Sequence, residues 1–308
     1  MPHALLISHP MLSPMQAGLE AQGYRVVRRW EMKEGDAEGV EAIVHAGEIY
    51  LTPDFLESLP NLKLIANVSV GYDGVDVPWC RARGIEVSHA DGLNAEDVAD
   101  HALGLLIGGW RNIVAGDRMI RAGVWNNDRM EVGPGMRGRK VGVMGLGHIG
   151  VAVAKRVEAF GMTVSWWGPN PKPGAAWPRA ESLLALAADC DILVVACRAD
   201  VSNRQAVNAA VIEAVGAKGM IVNVSRGSVI DEDALIAALK DGRLGRAGLD
   251  VFAVEPTPVE RWEGVPNTVL TPHSAGGTVG SLPSMIAQTF ENLRRHFAGE
   301  ALLSPVSH

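Results

Sequence analysis

Short apolar runs alternate with amphipathic stretches from one end of the chain to the other, the alternation of a parallel α/β protein. In the first third, Ala4–Ser8, Ala42–Val44, Leu64–Asn67 and Ile85–Val87 predict buried strands. Helices near Met11–Gln22, Asp54–Leu59 and Val77–Arg83 fall between them. A long helix is predicted from Ala95 to about Ala122, with Val98, Ala102, Leu105, Leu106 and Gly109 on one face. Gly123–Arg139 breaks the pattern. Rich in glycine, with Trp125, Pro134 and several charges, it reads as an exposed arm or linker. A second alternation follows, with strands at Lys140–Met144, Met162–Trp167, Asp191–Ala196, Gly219–Val224, Ala247–Asp250 and Thr268–Leu270. Helices are expected at Ile149–Phe160, closed by Gly161, and at Glu232–Lys240, with acidic residues in its first turn and Gly242 past its last. The final apolar helix, Ser284–Phe297, has no strand after it. Internal repeats and low-complexity segments are absent.

A chain of 308 residues is longer than a usual single domain, so two are expected. The formal net charge of -7 argues against nucleic acid or an anionic membrane as the main partner. Any anionic ligand must therefore find a local positive site. The three cysteines, Cys80, Cys190 and Cys197, have neither metal-ligand spacing nor a disulfide pattern, so no metal is expected and all three read as small buried hydrophobes. That usage suits a reducing cytoplasm. Met1–Pro10 lacks the basic segment and long apolar run of a signal peptide, and Ala102–Trp110 is too short and glycine-broken to span a bilayer. The expected location is cytoplasmic, with no membrane contact.

Gly145-Leu146-Gly147-His148-Ile149-Gly150 has the spacing G-x-G-x-x-G between a predicted strand and helix. The first glycine permits a tight turn, the second lets backbone approach a pyrophosphate, and the third lets helix pack on strand. Free N–H groups and the dipole at the helix start hold the anion. Six residues alone are weak evidence, because glycine-rich turns are common. The strand before, the helix after and the second strand at Met162 make the dinucleotide reading the preferred one. That second strand ends Trp166-Trp167-Gly168-Pro169-Asn170, without the acidic residue that bonds ribose hydroxyls. No carboxylate repels a 2′-phosphate there, so NADP(H) is favoured over NAD(H). Asn170, Lys172 and Arg179 are the nearby candidates for holding the phosphate.

Three later segments place polar residues just past predicted strand ends. They are Asn223-Val224-Ser225-Arg226-Gly227, Leu249-Asp250-Val251-Phe252-Ala253-Val254-Glu255-Pro256 and Thr271-Pro272-His273-Ser274-Ala275-Gly276. Ligands gather outside the carboxyl ends of strands in open parallel sheets. Arg226, Asp250, Glu255 and His273 are thus expected to converge over a nicotinamide ring. An arginine holds a carboxylate through two parallel hydrogen bonds. A histidine beside a glutamate stays protonated near neutral pH and gives its proton to a carbonyl oxygen. Each residue also has a plain reading: Arg226 as a solvated turn, His273 as a satisfied core histidine, Glu255-Pro256 as a loop start. Three such coincidences in order beside a dinucleotide turn are less probable than one site. For the other histidines, His45, His89, His101 and His148 among them, packing is the expected role. Trp110 and Trp125 are expected at a subunit contact rather than in catalysis.

With these motifs in hand, the chain resembles the D-isomer-specific 2-hydroxyacid dehydrogenase family along essentially its whole length. The Val70-Gly71-Tyr72-Asp73 loop and the Val98-Ala99-Asp100-His101-Ala102 helix start add to the ordered Arg, Glu and His motifs. Asp191-Ile192-Leu193-Val194-Val195-Ala196-Cys197 and the ending Leu302-Leu303-Ser304-Pro305-Val306 look most like the glyoxylate/hydroxypyruvate and hydroxyphenylpyruvate reductases, a branch that usually prefers NADPH. The resemblance implies two Rossmann-like, doubly wound parallel-sheet domains with the active site in the cleft between them. The substrate domain would comprise 1–97 plus 275–308. The dinucleotide domain would span 98–274, with a dimerisation helix and arm over about 98–138.

By the same resemblance His273 is the general acid in reduction, Glu255 orients it, and Arg226 grips the substrate carboxylate and keto oxygen. Backbone N–H groups at Val70 and Gly71 complete the carboxylate site, and Asp250 binds the nicotinamide carboxamide. Val224, Ser225, Ala275 and Gly276, flanking Arg226 and His273, line the cofactor. Cys197-Arg198-Ala199-Asp200 departs from the family's small-residue, Pro-Leu-Thr-like loop, which turns Arg198 into a further candidate for the phosphates. The implied activity is reduction of a small 2-keto acid, glyoxylate or hydroxypyruvate-like, by a homodimer. Alternatives are an aromatic keto acid, formate or phosphite oxidation, and a dinucleotide-sensing corepressor. Glu255 beside the acid histidine favours hydroxy-acid chemistry over formate chemistry, which resembles a Gln-bearing site.

Overall fold

The computed structural model describes residues 2–125 and 133–306. These fall into two units, Met1–Asn94 with Val279–His308, and Ala95–Thr278. The first unit holds strands β1 (Ala4–Ile7), β2 (Arg25–Arg28), β3 (Val40–His45), β4 (Leu64–Asn67) and β5 (Glu86–Ser88), with helices α1 (Gln16–Ala21), α2 (Pro53–Glu57) and α3 (Val77–Ala82). The second begins with α4 (Ala95–Trp110) and α5 (Ile113–Arg121). It continues through β6 (Lys140–Met144), α6 (His148–Ala159), β7 (Thr163–Trp167), α7 (Leu183–Asp189), β8 (Ile192–Val195), α8 (Ala209–Val215), β9 (Met220–Asn223), α9 (Glu232–Lys240), β10 (Arg246–Leu249), α10 (Val259–Trp262) and β11 (Thr268–Leu270). Helix α11 (Ser281–Phe297) then returns the chain to the first unit.

Both sheets are wholly parallel, in the orders β2-β1-β3-β4-β5 and β11-β10-β9-β8-β6-β7. Sheets of this kind carry helices on both faces, which is why the strands read as unbroken apolar runs. In the first unit Leu5, Ile7, Val44 and Leu64 pack towards Leu19 and Leu293. Their neighbours Leu6, Ile43 and Ile65 pack the other way, towards Leu56, Leu62 and Val77. In the second, Val141 and Val143 meet Leu106, Val153 and Val157, while Met144 and Leu193 meet Leu186 and Leu235.

The structure departs from several expectations. The long helix from Ala95 to Ala122 is two helices, because Asn112 adopts a left-handed φ of 57° that no continuous helix accommodates. The two units meet at Asn94/Ala95 and Thr278/Val279, beside the expected divisions at 97/98 and 274/275. Strand β2 and helices α7, α8 and α10 were not foreseen. Arg-Val-Val-Arg at β2 is an edge strand with charged ends, too short and too polar for its apolar pattern to stand out. The helix expected over Met11–Gln22 begins as a 3-10 segment over Pro10–Met15, with Pro14 inside it, before α1. Of the expected arm, residues 126–132 lie outside the described residues. Its far side is tied down: the Trp110 indole donates to Gly135 O at 3.1 Å, and Met136 packs on the core. Trp110 is itself 1% exposed, an interior residue rather than a subunit contact. No helix among the described residues is long and apolar enough to cross a membrane.

In each sheet the strand order reverses at one crevice, the usual place for a ligand in open α/β sheets. In the first unit this lies between β1 and β3, where it is closed by a buried pair: Ser8 Oγ donates to His45 Nδ1 at 2.8 Å, and His45 Nε2 donates to Ile49 O. Burial pushes the His45 pKa down to about 4, so it stays neutral. In the second unit the crevice lies between β6 and β8, and there the backbone is open to a ligand.

Candidate active site

The three glycines after β6 divide the work as their spacing predicts. Gly145 turns the chain with φ of 93°, and a Cβ on it would sit 2.4 Å from Cys197 Cα at the end of β8. Gly150 lets α6 close on the strand, since a Cβ there would lie 2.0 Å from Gly145 O. Gly147 is the N-cap of α6, and a Cβ on it would meet nothing within 4 Å. The backbone of the turn is thus open at the one position where a pyrophosphate has to approach, under the first N–H groups of a twelve-residue helix. The residues fit a dinucleotide.

At the end of β7, Gly168 carries no carboxylate. The Arg179 guanidinium sits there instead, donating from Nη2 to Gly168 O at 2.7 Å and lying over the Trp166 ring. The bridge between Trp166 and Arg179 carries it to that strand end. Lys172 Nζ reaches back to the glycine turn, at 2.6 Å from Leu146 O. Asn170 is exposed on the same loop. Arg198, in the departing loop, faces Asp200 at 3.6 Å. Cys197 packs against the turn with its thiol pushed up to about 11 by burial, so it is no nucleophile at neutral pH. Ser225 Oγ donates to Cys197 O at 2.5 Å and thereby joins the β8 and β9 ends.

The three catalytic candidates are delivered by β9, β10 and β11. Arg226 follows β9 and caps the short 3-10 turn Gly227–Val229. Gly227 allows the segment after β10 to lie against it, because a Cβ there would fall 1.9 Å from the Phe252 carbonyl carbon. No other residue fits without moving backbone. Glu255 is oriented from two sides: Oε1 accepts from Phe252 N–H at 2.9 Å, and Oε2 accepts from His273 Nδ1 at 2.6 Å. Their side chains are 34% and 33% exposed, accessible yet shielded enough for the pair to matter. His273 is held at a left-handed φ of 50° by its own N–H, which donates to Asp250 O at 2.8 Å.

The electrostatics follow from this pairing. The hydrogen bond to Glu255 raises the His273 pKa, and this outweighs the lowering by burial and by the Arg226 charge. Burial pushes the Glu255 carboxyl up, but the hydrogen bonds from His273 and Phe252 and the charges of His273 and Arg226 bring it below its usual value. The pairing favours the imidazolium–carboxylate form, whose Nε2 carries the transferable proton. Arg226 faces both, with Nη1 also donating to Ser225 O at 2.9 Å.

Asp250 does more than its position suggested. It is 1% exposed, and its carboxylate accepts from Thr271 Oγ1 at 2.6 Å, from Ser274 N–H at 3.0 Å and from Ala275 N–H at 3.0 Å. It therefore builds the turn that presents His273. His101, expected to be an ordinary packing residue, belongs to the same network through its Nε2, 2.9 Å from Thr271 Oγ1. Only the packing of α4 against the β10 and β11 ends brings it there. Glu232, the first residue of α9, is buried and accepts from Ala253 N–H at 2.9 Å while paired with Arg261. Nothing in its helix-start sequence distinguishes that role from an ordinary acidic first turn.

In the first unit, Val70 and Gly71 lie in the loop after β4. His89, also expected only to pack, bonds Val70 O through Nδ1 at 3.0 Å.

The match of residues 103–275 to the D-isomer specific 2-hydroxyacid dehydrogenase, NAD binding domain decides the family. The chain belongs to the D-isomer-specific 2-hydroxyacid dehydrogenases. Glyoxylate/hydroxypyruvate reductase A of Arabidopsis thaliana is 37% identical over 308 residues, covering 98% of each chain. Hydroxyphenylpyruvate reductase of Plectranthus scutellarioides is 36% identical, covering 96% of this chain and 97% of its own. The NADPH-dependent glyoxylate/hydroxypyruvate reductase of Sinorhizobium meliloti, solved with NADP and malonate, superposes with a TM-score of 0.92 at 35% identity, covering 100% of this chain and 97% of that one. Like its family, this dehydrogenase is an NAD(P)-dependent oxidoreductase acting between 2-keto and 2-hydroxy acids. None of these relatives is a corepressor.

Proposed function

We propose that this dehydrogenase reduces a small 2-keto acid of the glyoxylate or hydroxypyruvate type to the D-2-hydroxy acid, with NADPH preferred to NADH. The observation that carries the reading is the His273–Glu255 pair with Arg226 facing it, in the unit that bears the open glycine turn. The bound dihydronicotinamide supplies the hydride. Arg226 grips the substrate carboxylate through its planar fork, and Val70 and Gly71 add backbone N–H donors to that carboxylate. His273 gives its Nε2 proton to the keto oxygen, and Glu255 holds the imidazolium that this requires. Gly145, Gly147, His148, Ile149 and Gly150 hold the pyrophosphate. Val224, Ser225, Cys197, Ala275 and Gly276 line the rest of the cofactor, and Asp250 takes the carboxamide while bracing the His273 turn.

The cofactor preference rests on the β7 end. No acid stands at Gly168 to repel a 2′-phosphate, and Lys172 and Arg179 place positive charge beside it, with Asn170 and Arg198 as further donors. A glyoxylate, hydroxypyruvate and hydroxyphenylpyruvate panel with both cofactors, run on wild type and Gly168→Asp, tests both parts. A Cβ at Gly168 meets only the Trp166 ring, at 3.4 Å, so the variant has room to fold. NADPH turnover should be fastest with the small keto acids, and the substitution should cut the NADPH/NADH ratio of kcat/KM by roughly tenfold or more through like-charge repulsion. An unchanged ratio, or wild type that already prefers NADH, would defeat the cofactor reading. Preference for hydroxyphenylpyruvate would move the substrate to the aromatic class of the Plectranthus relative.

The subunit proposal is a homodimer formed through α5 and the arm. Helix α5 buries none of its residues, and Ile113, Ile120, Val124 and Trp125 are all exposed. Apolar side chains so grouped on one short segment mark an interaction surface. Ile120→Lys should convert a sedimenting dimer to monomer, and an unaltered sedimentation coefficient would place the interface elsewhere.

A further inference from the structure

We propose that Ser69 and His89, with Gly47, are positioning residues that aim the Val70 and Gly71 N–H groups at the substrate carboxylate. This rests on the reading that those N–H groups bind the substrate. In a trans peptide the C=O and the following N–H point in opposite directions. A carbonyl tied to the fold therefore fixes where the next N–H points.

Three successive carbonyls are tied in this loop, and all three peptides are trans. Ser69 O accepts from Ala90 N–H at 3.0 Å, which sets the Val70 N–H. Val70 O accepts from His89 Nδ1–H at 3.0 Å, which sets the Gly71 N–H. Gly71 O accepts from Ser69 Oγ–H at 2.8 Å and so anchors the far side of the turn. Among the described residues, neither the Val70 nor the Gly71 N–H has a protein acceptor. Adjacent N–H groups directed the same way form a small anion-binding nest.

The anchors are themselves held. Gly47 N–H donates to Ser69 Oγ at 2.8 Å, so the hydroxyl has its acceptor role filled and its proton committed to Gly71 O. A Cβ on Gly47 would lie 1.9 Å from Gly71 O, so only glycine admits that carbonyl. The His89 backbone is clamped by the C-terminal tail, its N–H donating to Ser304 O at 3.2 Å and its carbonyl accepting from Ser304 Oγ at 2.5 Å. Its ring lies edge-on to Tyr72 with centroids 5.0 Å apart. Donors fixed before the ligand arrives cost no reorganisation when charge is bound, which is the benefit of such an arrangement.

The experiment is steady-state reduction of glyoxylate with NADPH by Ser69→Ala and His89→Ala, with melting curves alongside. Loosened donors should raise KM for glyoxylate about tenfold in each, one hydrogen bond's worth. kcat, KM for NADPH and Tm should stay near wild type, the signature of lost substrate binding. Ser69→Thr restores the hydroxyl, and His89→Asn offers an amide N–H in place of Nδ1–H, so both should recover KM. Unchanged KM in both alanine variants overturns the inference. So does a fall in Tm and kcat without a rise in KM, which means a merely structural role. Gly71→Pro, which deletes an N–H outright, separates the two layers. If it folds and leaves KM unaltered, the loop does not bind the carboxylate at all. If it raises KM while the alanine variants do not, the donors act but Ser69 and His89 do not aim them.

Discussion

His273→Ala is expected to lower kcat for keto-acid reduction by about 10²–10⁴, the usual contribution of a positioned proton donor. The hydrogen-bond geometry leaves it one role. Nδ1 is committed to Glu255 at 2.6 Å, so the exchangeable proton sits on Nε2. Near-normal turnover in the variant would remove His273 from the chemistry. The pH dependence adds a second check. His273 has a raised pKa, so the acid form persists above the ordinary histidine range and reduction should weaken only as pH climbs through that raised value. Glu255→Gln removes the leading cause of the elevation. Its alkaline limb should therefore move to lower pH, with a larger loss of kcat/KM at pH 8 than at pH 6. The same pair stabilises the fold in a definite window. His273 contributes fully below its unfolded value and loses this as pH rises through its raised folded value. Glu255 contributes above its unfolded value and loses this as pH falls through its lowered folded value.

Arg226→Ala should fail differently, raising KM for the keto acid strongly while also lowering kcat, because a charge-assisted bidentate pair disappears. Arg226→Lys should recover little of it. An ammonium keeps the charge but not the planar fork. The pH profile again has a sign. The Arg226 charge lowers the His273 pKa, so Arg226→Ala should move the alkaline limb upward, opposite to Glu255→Gln. Limbs shifting in the same direction in the two variants would mean that Arg226 does not face the acid pair in solution.

Much of this was legible in residue order, and for physical reasons. Buried parallel strands need apolar runs, so all six strands of the second sheet lie within a residue of their expected ends, β6 and β11 matching in full. The glycine spacing announced a turn in which close backbone approach requires Gly145 and Gly150 and in which Gly147 stands open. Arg226, Glu255 and His273 stood out because parallel topology brings strand ends to one side of a sheet, whatever the intervening sequence.

Other features depended on elements far apart in sequence. His101 looked like any histidine on a helix until α4 packed beside β11 and set it against Thr271. Arg179 meets Gly168 only through a bridge between β7 and a later segment, and Lys172 meets Leu146 only because its loop folds back over the glycine turn. Asn112, an unremarkable polar residue within a helical pattern, ends α4 by taking a left-handed conformation. His89 is aimed at Val70 O by a chain terminus more than two hundred residues away. Periodicity and local motifs report what a segment buries and how the backbone turns, since both depend on near neighbours. Which side chain answers which carbonyl is decided by long-range packing, and for this dehydrogenase that is where the second layer of its site is written.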